Sequence, residues 1–304
     1  LSMVINAAQR GAGNTKIAMR TNLISNGVNI LFNYLLIGGN LGFPRLGVEG
    51  AAIATVLGTV VACAMSIRSL FHPDRFLSIW QMRGRFRFDK RTMGAIANIG
   101  SSTLAEQIFL RIGFLTYSIL VANLGTTAFA AHQVGMNMMS ISFSFGDGLS
   151  VAAVTLVGQS LGAKRQDMAK IYGSICQRLG LLFAAILCVI FVLGGRGIFS
   201  WFSNETAILD YGQMIMRILS VVIFLQISQV VYSGCLRGAG DTRYTALVSL
   251  ISVAFIRPGS GWLFCYPLGL GLFGAWIGLA FDQLMRFILT RIRFQQGKWT
   301  TLKI

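Results

Sequence analysis

The hexad R-G-A-G-N-T at Arg10–Thr15 returns as R-G-A-G-D-T at Arg237–Thr242. An apolar stretch follows each copy, and then a second one opened by small residues. Gly47, Gly50, Ala51 and Ala54 answer to Gly271, Gly274, Ala275 and Gly278. The offset is 227 at the hexads (237 − 10) and 224 at the glycines (271 − 47). A match that holds register across two hydrophobic stretches marks two related units. About 143 residues separate the first helix start near 94 from the second hexad, whereas nine precede the first hexad. By that comparison roughly 130 residues, three helices and most of a fourth, are expected upstream of Leu1, giving twelve spans as six plus six.

The composition sets the solvent. Hydrophobic residues make up 54% of the 304 and charged residues only 12%, with a mean hydropathy of +0.66. A soluble domain of this size carries far more charge. The formal charge of +16 falls between apolar runs rather than on one solvated face, so no nucleic-acid partner is expected. Basic loops of a membrane protein explain it instead. None of the five cysteines forms a C-x-x-C pair, so neither a disulfide framework nor a zinc site is expected.

Helices are expected at 21–38, 49–70, 94–122, 127–160, 168–194, 207–235, 243–264 and 268–291, with residues 1–9 as the end of another. Each is long enough for the ~20 residues a bilayer requires. The fold class is therefore an all-α polytopic membrane protein of parallel six-helix repeats in two lobes, with the first lobe incomplete. Alternate loops are rich in Lys and Arg and should be cytoplasmic. Both hexads fall on that side.

The domains read as a partial first lobe at 1–70, a linker at 71–93, a second lobe at 94–292 and a cytoplasmic tail at 293–304. The linker mixes aromatic residues with seven cations counted from Arg68. It fits an amphipathic segment on anionic membrane lipid, or a tether whose charges follow the orientation rule.

Five stretches carry a family resemblance. They are L-G-T-T-A-F-A-A-H-Q at Leu124–Gln133, G-L-S-V-A-A-V-T-L-V-G-Q-S-L-G-A at Gly148–Ala163, L-R-G-A-G-D-T at Leu236–Thr242, N-I-L-F-N-Y-L-L-I-G at Asn29–Gly38 and L-G-V-E-G-A-A-I-A-T at Leu46–Thr55. With them the chain resembles the MATE (multidrug and toxic compound extrusion) family of bacterial transporters. The resemblance implies that the spans are helices 5–12 plus the end of helix 4, in a V-shaped pair of six-helix lobes. It implies an antiporter of the bacterial inner membrane, monomeric when full length, that exports amphiphilic and often cationic small molecules against H+ or Na+. No cofactor is implied.

Ionisable groups in mid-membrane are costly, so each is a candidate for function. Glu106 lies about twelve residues into the 94–122 span, with Gln107 beside it and Arg111 five residues on. It could bind a cation, carry a proton, or neutralise Arg111. Asp147 sits between Gly146 and Gly148, which suits an opened helix lining a cavity or a kink that the carboxylate satisfies. Gln133, Met136, Met139 and Phe143 could line an adaptable cavity for amphiphiles or simply pack. Asp282 and Arg286, four apart, read as a structural pair ahead of a coupling site, Arg257 as an end-of-helix snorkeller, and His132 as a loop contact ahead of a proton-sensitive group.

The resemblance adds an ion site in the first lobe, onto which Asn29, Asn33 and Thr55 map, with Asn33 in place of an Asp. A flippase for lipid-linked saccharides is the alternative within the superfamily. Such a protein should line its cavity with cations, and Arg111 and Arg217 are the candidates. An intramembrane enzyme would need a converging nucleophile–base or metal-ligand set, and the sequence offers none.

Overall fold

The computed structural model describes residues 1–71, 89–202 and 205–301, all of it helix and connecting turn with no strand among them. The chain divides into two compact units, Leu1–Asp89 and Lys90–Ile304. Most of the expected linker, residues 72–88, lies outside the described residues. Among the described residues, seven helices are long and apolar enough to cross a membrane. The eighth expected span is a full-length helix, but Asn22, Asn26, Asn29 and Asn33 leave it more polar than the seven.

The first unit holds helices α1 (Ser2–Gly11), α2 (Thr15–Gly38) and α3 (Val48–Leu70). The small residues of α3 serve close approach. A side chain at Gly50 would stand 2.6 Å from the Leu36 carbonyl oxygen, and one at Gly58 would stand 3.0 Å from that of Ser25. Small residues spaced four apart let the two backbones touch, which is how apolar helices associate without water to expel.

The second unit contains α4 (Lys90–Ala122), α5 (Thr126–Gly162), α6 (Gln166–Ser200) and α7 (Thr206–Gly238). After the second hexad come α8 (Thr242–Ser249), a π-helical stretch Leu250–Ile256, α9 (Arg257–Cys265) and α10 (Gly271–Gln296). At 37 residues α5 rises ~55 Å, well beyond the ~30 Å of bilayer hydrocarbon. Helix α7 is the core, packed on α5, α6 and α10. Gly234 and Gly238 press on Ser150 and Val154 of α5, where a Cβ would collide.

The span expected at 243–264 is present as Thr242–Cys265, with π-type turns at Leu250–Ile256 just ahead of Pro258. Proline has no N–H and its ring crowds the carbonyl four residues back. A widened turn relieves both. The C-terminal segment also differs from a loose tail. Trp299 is fully buried, stacked on Phe294 at 5.2 Å, and donates its indole N–H to the Phe294 carbonyl at 2.9 Å.

The repeat is visible in the backbone. In the first copy the N–H groups of Ala12, Gly13 and Asn14 donate to the carbonyls of Ala8, Arg10 and Gln9. In the second, Ala239, Gly240 and Asp241 donate to Cys235, Arg237 and Leu236. Every partner is displaced by the same 227 residues. Gly13 and Gly240 take φ of +88° and +80°, a left-handed turn that other residues adopt only with strain.

Candidate functional site

Helix α4 carries Glu106 into the interior of the second unit, where the residue is 5% exposed. Helix α8 offers two hydroxyls one turn apart. Thr245 Oγ1 donates to Glu106 Oε2 at 3.1 Å and Ser249 Oγ to Oε1 at 3.3 Å. The end of α7 supplies the cation: Arg237 Nη1 lies 3.7 Å from Oε1. Two hydroxyl donors and a loosely held guanidinium replace the water that a buried carboxylate loses. Arg237 is the first residue of the second hexad, so the repeat itself feeds this site.

The carboxylate borders a cavity of about 270 Å³. Gln107, Phe143 and Asp147 join it there, with Gln229 and Ser233 of α7 and Arg286 of α10. Two acids and two arginines thus share one partly apolar chamber. Arg111 is exposed and does not line it; the cation beside Glu106 is Arg237. Gln133 is exposed and Met136 half-buried, both outside the lining. Met139 is fully buried in the packed core. Arg217, the other cation weighed for an anionic cargo, is exposed elsewhere.

An ion cluster adjoins the chamber, and sequence reasoning found its Asp282–Arg286 pair but not the third member, Arg257. Arg257 is fully buried and donates through Nε to Asp282 Oδ2 at 3.0 Å, while Arg286 Nη2 reaches the same oxygen at 3.4 Å. Arg257 is therefore no snorkeller: the helix break at Pro258 turns it inward, where its guanidinium also lies 4.6 Å from the centre of the Phe114 ring. Asp282 serves two arginines rather than Arg286 alone. His132 meets no loop; it is buried among the rings of Tyr117, Phe129 and Trp276.

In the first unit Asn29, Asn33 and Thr55 do meet. Asn33 Nδ2 donates to Asn29 Oδ1 at 3.0 Å, Asn29 Nδ2 to Thr55 Oγ1 at 3.4 Å, and Thr55 Oγ1 to the Ala51 carbonyl at 2.9 Å. The buried Oδ1 of Asn33 accepts no hydrogen bond. The chain of amides and hydroxyl is neutral throughout.

A repeated helical unit, seven membrane-length apolar helices and a buried carboxylate facing a mixed-charge cavity together define a polytopic membrane protein with an internal polar chamber. The MatE family pattern matches residues 103–263, and the chain belongs to that family. A probable multidrug resistance protein NorM of Thermotoga maritima is 31% identical over 299 residues, covering 97% of this chain and 63% of that protein. One from Bacillus cereus is 29% identical, covering 95% and 64%. The chain thus spans a little under two thirds of these relatives. The fold is that of a crystal structure of MATE in the straight conformation, with a TM-score of 0.87 at 20% identity over 98% of this chain and 66% of that one. An outward-facing multidrug resistance MATE family transporter of the MOP superfamily gives 0.88 at 20% identity, covering the same shares.

Proposed function

We propose that the whole protein is a secondary antiporter of the bacterial inner membrane, exporting amphiphilic, often cationic, organic compounds in exchange for H+ or Na+. The observation that carries this reading is the loose hold on Glu106. Its carboxylate is neutralised by a guanidinium at 3.7 Å rather than by a close bidentate pair. A proton or sodium ion arriving at Glu106 competes with Arg237 for the same oxygens. Once displaced, Arg237 still faces Asp147 across the chamber, so the chamber gains positive charge and a bound organic cation is expelled. Return of Arg237 to Glu106 resets the site. Asn29, Asn33 and Thr55 offer a second, neutral oxygen-rich site in the first unit, suited to a weakly held cation. MATE membership and NorM relatives support export as the activity. The cavity cations Arg237 and Arg286 are opposed by Glu106 and Asp282, which disfavours an anionic, lipid-linked saccharide as cargo.

The test is dye or drug efflux from vesicles holding the whole protein, under imposed proton and sodium gradients, with membrane expression read on the same samples. Glu106→Gln keeps the shape and removes the charge. Gradient-driven efflux should fall by about tenfold or more at unchanged expression. A well-expressed Gln variant that still couples would remove Glu106 from the mechanism.

A further inference from the structure

The first unit contains a second cavity, of about 410 Å³, between the start of α2 and the end of α3. Lys16, Arg20 and Arg68 line it together with Asn14, Thr21 and Ser69. No carboxylate faces it among the described residues. The only acid in residues 1–71 is Glu49, in the first turn of α3 and so at the opposite end of that helix from Arg68. Thr21 is fully buried, yet its Oγ1 has no hydrogen-bond partner. Asn14, at the N-cap of α2, makes no side-chain cap hydrogen bond.

The internal repeat shows what is missing there. At the equivalent place in the second unit, Asp241 (14 + 227) accepts from Arg293 (69 + 224) at 2.8 Å. In the first unit the acid has become Asn14 and the cations have become three. A buried hydroxyl without a partner and three unmatched cations are the donor set that carboxylate or phosphate oxygens accept from. The cavity has room for a tetrahedral oxyanion and a linking group.

We propose that this cavity is a binding site for a phosphate-class anion, either the headgroup phosphate of an anionic phospholipid or free phosphate, which supplies from outside the negative charge that Asp241 supplies internally in the other copy. Arg20 and Arg68 grip its oxygens, Lys16 adds charge, and the Thr21 hydroxyl donates from the buried wall.

The test uses the purified whole protein in mixed micelles, following its melting midpoint and its retained lipid by native mass spectrometry. Phosphatidylglycerol should bind about tenfold tighter than phosphatidylcholine, and Arg20→Gln with Arg68→Gln should erase that preference. Asn14→Asp guards against misfolding. It restores the acid of the second copy, so it should melt no lower than the parent without ligand, yet lose the preference for phosphatidylglycerol. A midpoint raised by inorganic phosphate alone identifies free phosphate as the ligand, and a response to the lipid only identifies the headgroup. Equal retention of phosphatidylglycerol by the parent, the double Gln variant and Asn14→Asp would overturn the proposal, as would a parent that responds to neither anion.

Discussion

The helix pairs that follow the two hexads share one backbone plan and opposite electrostatics. In both, a left-handed glycine opens the second helix of the pair, Gly47 with φ +55° and Gly271 with φ +53°. In both, the loop folds back on the first helix: Leu46 N–H donates to Leu36 O, and Leu270 N–H to Phe264 O. The offset between donors is 224 (270 − 46), but between acceptors it is 228 (264 − 36), one more than the 227 of the hexads. The second unit therefore carries one extra residue between hexad and loop. The π-helical stretch Leu250–Ile256 is where it is absorbed, since a π turn is an α-helix with one residue inserted.

That insertion brings Arg257 to the place that Asn29 holds in the first copy (29 + 228). Asp282 likewise answers to Gly58 (58 + 224). One unit keeps a neutral chain of amides at the crossing of its helix pair; the other fills the crossing with an internal cation and its counter-charge. The same holds at the hexads. Arg237 and Asp241 are both ion-paired, with Glu106 and Arg293, whereas Arg10 and Asn14 form no ion pair among the described residues. Repetition preserved the turns and close packings, which backbone sterics dictate, and left the charges free to diverge.

The sharpest way to break this comparison is at the buried charges. Asp282→Asn would leave two buried guanidiniums without their carboxylate and should destabilise the second unit by about 3–5 kcal/mol. Asn29→Ala, at the matching crossing, removes neutral hydrogen bonds and should cost only about 1 kcal/mol. Thermal unfolding of both variants in detergent measures the ratio; equal losses would mean that the two crossings are not electrostatically distinct. A smaller effect tests the shared backbone. Gly13→Ala and Gly240→Ala each force a left-handed alanine and should each cost about 1 kcal/mol. Unequal costs would show that the turns, despite matching hydrogen bonds, bear different strain.

The spans were legible because long apolar runs and basic loops are written locally. Each expected helix exists, with bounds shifted by a few residues, as at Lys90, Gly271 and Gln296. The burial of Glu106 was legible because a carboxylate in an apolar stretch is costly wherever it points. Its partners were not. Thr245 and Ser249 lie 139 and 143 residues away, and Arg237 looked like one more orienting loop charge. The four-residue spacing of Thr245 and Ser249, together with the repeat of the arginine, was the available signal. The inward turn of Arg257 was hidden because an apolar run has no marks by which to count one inserted residue, and only Pro258 hints at it.

The central claim is that Glu106 exchanges Arg237 for a transported cation. Pairing Glu106→Gln with Arg237→Gln tests it most directly, with gradient-driven efflux and membrane expression measured together. The double variant has no buried charge left unmatched at this place, so any folding defect of the single Gln variant should be repaired. On this account expression recovers to the parent level while efflux stays at least about tenfold down, because the carboxylate that exchanges Arg237 for the coupling ion is gone. Recovery of efflux together with expression would contradict it, and would make the pair a structural tie.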